Sequence, residues 1–264
     1  MTTAKPFAPS PTARLKGRNI FAVASGKGGV GKTWFSITLA QCLTKLGAKT
    51  LLFDGDLGLA NLDIQLGLMP KHDLGSVIAG RIQLDKSVDH FEDGGFDVVA
   101  GRSGSGGLAN VAPSRLTVLG EELGLLATGY DHVIIDAGAG VEKNVMQLTG
   151  LANTCIVLVT DEPTSLTDAY AFIKLTRMER PGTDIRVVVN MANSVKEGEK
   201  TFNTLKKACE GFLKFKPTLL GIVRRDTKVP DSIRNQAPIL TRYPNAEAAS
   251  DVEAIAKLLT SEPD

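Results

Sequence analysis

Residues 25–33 read Ser-Gly-Lys-Gly-Gly-Val-Gly-Lys-Thr. Four of them, Gly26, Gly31, Lys32 and Thr33, complete the phosphate-loop pattern G-x-x-x-x-G-K-[ST]. The chemistry this spacing serves is capture of a polyphosphate. Glycines let successive main-chain N–H groups turn inward around phosphate oxygens, and a helix opening at the end of the loop adds its positive dipole end. Lys32 is expected to reach the β- and γ-phosphates and Thr33 to ligate Mg²⁺. The residues expected to contact nucleotide are Gly26, Lys27, Gly28, Gly29, Val30, Gly31, Lys32, Thr33 and Trp34.

Lys27 is the residue this pattern does not need. Its side chain is expected to point away from its own γ-phosphate. A cation there is either solvated on the loop or reaches the nucleotide of a neighbouring subunit, offsetting transition-state charge in trans as an arginine finger does. Spacing alone leaves both readings open.

Carboxylates follow at three further points. Asp54 and Asp56 stand at the end of a candidate strand, where two acids suit Mg²⁺-bound water and an attacking water. The run HVIIDAGAG (132–140) reads as a Walker B strand, with Asp136 holding Mg²⁺ through water. Glu162 and Asp168, in TDEPTSLTDAY (160–170), lie at the same edge within reach of the basic loop. They are candidate counter-ions for Lys27, with capping of the next helix as the rival reading. Arg224 to Asp226 are expected to border a base. No N-K-x-D guanine motif occurs, which favours ATP over GTP. The serines of 101–107 do not form G-x-S-x-G, and His72, His90 and His132 lack metal-ligand spacing.

These residues need a scaffold that carries them to one edge. Candidate strands are 20–25, 49–54, 96–101, 132–136, 154–160, 185–190 and 218–223. Most are continuously apolar, the pattern of strands buried on both faces of a parallel sheet. Helical periodicity marks 32–47, ending at the C-cap candidate Gly47, and 165–180. Strand–helix alternation throughout predicts a doubly wound, mostly parallel α/β sheet with helices on both faces. The expected organisation is a leader over 1–18, a single domain over 19–260 and a tail over 261–264. The Gly- and Ser-rich stretch 101–114 reads either as a loop at the ligand edge or as a plain surface loop.

A hydrophobic content of 43% over 264 residues supplies a sizeable core, and a net charge of +1 gives no global attraction to nucleic acid or anionic membrane. Cys42, Cys155 and Cys209 are far apart and read as reduced core thiols, which points to a cytoplasmic setting. No apolar run approaches a membrane span, and the N-terminal stretch has no signal-peptide h-region.

The run KGGVGKT (27–33) resembles the deviant Walker A motif of the MinD/ParA family of P-loop ATPases. In that family two subunits clasp two ATP molecules face to face, and the lysine at the position of Lys27 contacts the other subunit's phosphates. The resemblance therefore implies an ATP-dependent homodimer that cycles ATP to ADP with Mg²⁺, with Lys27, Lys32 and Asp56 as catalytic residues. DGDLGLANLD (54–63) is similar to the family's switch I, D-x-D-x-G-x-x-N-x-D. The match implies that Asp56 orients the hydrolytic water, that Asp54 joins Thr33 and Asp136 in the Mg²⁺ shell, and that Asn61 and Asp63 belong to a mobile interface segment. An Asn at a late strand end binds adenine in the family, which nominates Asn190; a plain turn residue is the alternative. Where the family usually has proline after the Walker B aspartate, this chain has Gly138, expected to loosen the following loop.

Longer runs, 54–81, 161–175, 190–213 and 242–249, resemble the FlhG/FleN group of flagellar-number regulators. That likeness implies control of flagellar number or placement. Partners would be an FlhF-type GTPase, a flagellar basal-body protein or a transcription regulator. Two features depart from it. The leader lacks the D-Q-A-x-x-L-R stretch that stimulates FlhF, and the closing run SDVEAIAKLLTSEPD reads as a core helix through Val252, Ile255, Ala256 and Leu259, not as an amphipathic membrane anchor. The protein is therefore expected in the cytoplasm, reaching a pole or membrane through another protein. Two alternatives stay open. One is a MinD-like division-site regulator. The other is a ParA-like partition ATPase on nonspecific DNA, suggested by eleven Lys and Arg against five Asp and Glu over 196–242.

Overall fold

The computed structural model describes residues 19–102 and 111–261. Most of the 101–114 stretch therefore lies outside the described residues. An eight-stranded sheet forms the centre: β1 (Ile20–Ser25), β2 (Thr50–Gly55), β3 (Asp89–Phe91), β4 (Phe96–Val99), β5 (His132–Ala139), β6 (Thr154–Val159), β7 (Asp184–Ala192) and β8 (Thr218–Arg224). Their spatial order is β3-β4-β2-β5-β1-β6-β7-β8. Every neighbouring pair is parallel except β3 with β4.

The apolar runs behave as a doubly wound sheet requires. Along β1, Ile20, Ala22 and Ala24 enter the core on one face, and Phe21 and Val23 enter the core on the other. The first face is covered by α4 (Pro113–Ala127), α5 (Lys143–Thr149), α6 (Pro163–Glu179) and α7 (Val195–Ala208). The second is covered by α1 (Lys32–Lys45), α2 (Leu62–Leu66), α9 (Ile239–Arg242) and α10 (Glu247–Ser261). Two further short helices, α3 (Leu74–Ile78) and α8 (Lys228–Arg234), lie in the connections. Val252, Ile255, Ala256 and Leu259 of α10 are buried, as the sequence pattern predicts for a core helix. Cys42, Cys155 and Cys209 are buried free thiols, and burial pushes all three up, Cys42 and Cys155 to about 12.

Several boundaries differ from the sequence reading. β5 continues past Asp136 to Ala139, so Gly138 lies in a strand and not in a loosened loop. The extension is stabilised because Gly140, at φ 91°, donates its N–H to the Ser25 carbonyl at 2.9 Å. Helix α1 ends at Lys45 with Leu46 as its cap, and Gly47 is the left-handed residue just beyond, at φ 93°. The edge strand β3 matches none of the candidate strands read from the sequence.

The chain leaves β1 for β2 and β4 on one side and later crosses to β6, β7 and β8 on the other. The carboxyl end of β1 is thus a topological switch point, the place where open α/β sheets bind ligands.

Candidate functional site

The loop after β1 is braced from several directions. The Ser25 hydroxyl donates to the Lys27 carbonyl at 2.6 Å and accepts from Lys32 Nζ at 3.0 Å. Gly26 packs so closely on α6 that a Cβ there would lie 2.1 Å from the Asp168 carbonyl carbon. Gly31, at φ 87° and ψ 25°, is the N-cap of α1, and its carbonyl accepts from Phe35 N at 3.0 Å. The left-handed turn at Gly31 lets the chain pass from a tight loop into a helix within one residue, which leaves the first N–H groups of α1 without intrahelical acceptors.

Three ionisable groups converge behind this turn. Asp54 and Asp136 are register partners across β2 and β5, and both are buried. Asp136 accepts from Ser36 Oγ at 2.9 Å and from the Thr33 hydroxyl. Asp54 accepts from the N–H groups of Asp56 at 3.2 Å and Gly101 at 3.3 Å. Burial, reinforced by the Asp136 charge, pushes Asp54 up to about 8. Burial pushes Asp136 up to about 6, against the hydroxyl bonds and the Lys32 charge. Lys32 is buried too; desolvation lowers its pKa, opposed by Asp136 and Asp56. Two desolvated carboxyls beside one desolvated ammonium are short of cationic charge, so they favour an incoming cation.

Asp56 is less enclosed. Its Oδ1 accepts from Leu59 N at 3.0 Å, and it neighbours Gly138, where a Cβ would lie 3.4 Å from that oxygen. Among the described residues no group of three or more His, Cys, Asp and Glu is arranged to hold a metal. The residues present, Thr33 with Asp54 and Asp136, nevertheless fit Mg²⁺, which keeps several waters and needs few protein ligands when a phosphate supplies the rest.

Lys27 points away from this centre. Its Nζ lies 2.5 Å from Glu162 Oε2 and 3.0 Å from Thr164 Oγ1, at the start of α6. Of the two candidate counter-ions, the structure joins Glu162 to Lys27, and Asp168 meets the loop through its backbone at Gly26.

The remaining sequence candidates have other surroundings. Asn190 is buried at the end of β7, and its Nδ2 donates to the Val30 carbonyl at 2.8 Å. Trp34 is buried in the same core cluster as Ile37, Leu66 and Ile239. Arg224 is committed to α10, with Nε on Asp251 Oδ2 at 2.9 Å, a terminal nitrogen on Asp251 Oδ1 at 2.8 Å and another on Glu247 at 2.6 Å. Asp226 accepts from Lys228 N at 2.9 Å and Ala248 N at 3.4 Å, tethering α8 and α10. The side-chain polar atoms of Arg224 and Asp226, two residues expected beside a base, thus tie helices together. Within the basic stretch 196–242, Arg242 and Arg234 pair with Asp231 and Lys206 pairs with Glu210. Sequence reasoning missed Ser25 and Ser36. Ser36 follows Lys32 by four residues on one helix face, which is the signal that could have found it.

Comparison with known proteins agrees with this fold. Residues 21–239 match the CobQ/CobB/MinD/ParA nucleotide binding domain model. The chain is 36% identical to the antiactivator FleN of Pseudomonas aeruginosa over 244 residues, covering 92% of this chain and 87% of FleN. It is 30% identical to the flagellum site-determining protein YlxH of Helicobacter pylori, covering 93% and 83%. The septum site-determining protein MinD of Pyrococcus horikoshii, solved in complex with Mg-ADP, superposes with a TM-score of 0.78 at 22% identity, covering 92% and 96%.

Proposed function

Because the chain belongs to the CobQ/CobB/MinD/ParA family of nucleotide-binding domains, we propose that it is a Mg²⁺-ATP-dependent dimerising switch that hydrolyses ATP to ADP and helps set the number or placement of flagella. Gly26 to Thr33 hold the phosphates, Thr33, Asp54 and Asp136 hold Mg²⁺ directly or through water, and Asp56 orients the attacking water. Lys27 acts on the nucleotide of a second copy. The observation that carries this reading is the position of Lys27, turned out of its own phosphate cradle onto Glu162 and Thr164. Asn190 is assigned to the adenine, whose edge takes one donor and one acceptor.

The flagellar assignment draws on FleN and YlxH, to which the likeness extends over most of both chains. An FlhF-type GTPase, a basal-body protein or a transcription regulator is the expected downstream contact. Among the described residues no helix is long and apolar enough to cross a membrane, and a cytoplasmic protein recruited through another protein fits the proposal.

Light scattering of wild type and Asp56→Ala with ADP and with ATP tests the switch. The expected result is doubling of the mass with ATP, most persistent in Asp56→Ala. A mass that never changes with nucleotide would overturn the dimer and return Lys27 to a surface role. The partition-protein alternative predicts ATP-dependent, salt-sensitive retention of duplex DNA, and no retention at low salt excludes it.

A further inference from the structure

The carboxyl end of β7 is bent against the phosphate loop in a way that base recognition alone does not require. Met191 has φ 57°, a left-handed conformation that side chains seldom adopt, and the β7–β8 register is interrupted between Val189 and Ala192. The bend seats two side chains on the loop. A Cβ added to Gly31 would lie 2.5 Å from Asn190 Nδ2 and 3.3 Å from Met191 Cε. Asn190 Nδ2 donates to the Val30 carbonyl at 2.8 Å. A carbonyl can only accept, so the orientation of the amide follows from the contact. Val30 immediately precedes Gly31, whose left-handed turn opens α1.

We infer that Asn190 is a positioning residue for the phosphate loop. Its bond to Val30 fixes the peptide that enters the Gly31 turn, and so fixes where the first N–H groups of α1 point before phosphate arrives. The same amide retains one N–H and its oxygen, the donor and acceptor that an adenine edge takes. One side chain then joins the base end of the site to the phosphate end. The base half of this inference rests on the proposed function; the loop half stands on the contact with Val30.

Inorganic tripolyphosphate with Mg²⁺ separates the two, because it carries phosphates and no base. Displacement of a fluorescent ATP analogue by ATP and by tripolyphosphate is measured for wild type and Asn190→Ala, together with hydrogen exchange of residues 26–34 in nucleotide-free protein. Asn190→Ala is expected to weaken tripolyphosphate about three- to tenfold, the range for one lost buried hydrogen bond, and to speed exchange of the loop but not of the distant β3–β4 edge. If ATP weakens while tripolyphosphate and loop exchange match wild type, Asn190 reads the base only and the inference is overturned. If wild type binds no ATP analogue, the nucleotide reading fails instead, and the exchange comparison still decides the loop role. Should Asn190→Ala not fold, Asn190→Ser, too short to span to Val30, carries the same expectations.

Discussion

Lys27 Nζ and Glu162 Oε2 lie 2.5 Å apart within one chain, so the lysine that a phosphate loop does not need is held by the start of α6. The side chains are 37% and 59% exposed, and an ion pair in that setting contributes little, about 0–1 kcal/mol. Such a pair holds the lysine without trapping it. Glu162→Gln is therefore expected to leave thermal stability almost unchanged while raising the dimer fraction at a given ATP and protein concentration. Lys27→Ala is expected to bind ATP and dimerise poorly. Sedimentation of the two variants with ATP checks both; less dimer in Glu162→Gln would mean that the glutamate holds the lysine across the dimer.

The Asp54–Asp136 pair makes stability depend on pH. Burial raises Asp54 from 3.8 to about 8 and Asp136 from 3.8 to about 6, so the folded chain keeps protons that the unfolded chain has lost. Stability of nucleotide-free protein is thus greatest at the acid side of this window and falls as pH rises through it, levelling once both groups are ionised. Asp54→Asn is expected to flatten the upper part of that slope and to raise the melting temperature at about pH 8. Mg²⁺-nucleotide binding is expected to release protons near neutral pH. Calorimetry in buffers of different ionisation enthalpy measures that release, and a melting temperature rising from pH 6 to 8 would contradict the assignment.

The parts of the site that sequence shows are those set by short-range pattern. The phosphate loop stands between a buried strand and a helix because its glycines and the apolar runs around it admit little else, and β1 falls where the run IFAVAS predicts. What sequence hides is set by long-range pairing. Strand β3 is three residues with only Phe91 buried, too short and too polar for a period to register. Arg224 after a strand looks available to a ligand until α10 folds back and presents Asp251 and Glu247 to it. Ser25 and Ser36 look like ordinary strand and helix residues, and their work depends on Lys32 and Asp136 being near.

Arg224 provides a direct check on that difference. If its guanidinium serves α10, Arg224→Ala lowers stability by on the order of 1–2 kcal/mol, the scale for losing charge-assisted hydrogen bonds at a partly exposed site. Affinity for ATP is expected to stay within about twofold, since the lost bonds stabilise the fold and not the ligand. Chemical denaturation and nucleotide titration of the same variant separate the outcomes; an affinity loss without a stability loss would return Arg224 to the base.

Two glycines in one loop are expected to differ in their tolerance of the same added methyl. At Gly26 a Cβ would lie 2.1 Å from the carbonyl carbon and 2.2 Å from the carbonyl oxygen of Asp168, both backbone atoms that cannot swing aside. Gly26→Ala must therefore push the loop off α6, moving Lys27 away from Glu162 and Thr164 and the phosphate cradle with it. At Gly28 a Cβ meets nothing within 4 Å. Gly28→Ala is expected to change the stability of nucleotide-free protein by less than about 0.5 kcal/mol, as open surface substitutions do, whereas Gly26→Ala loses more than about 1 kcal/mol through overpacking. Denaturant melts of the two variants without nucleotide measure the contrast. Equal stabilities would mean that the loop and α6 yield together, and that the close contact at Asp168 does not fix the loop.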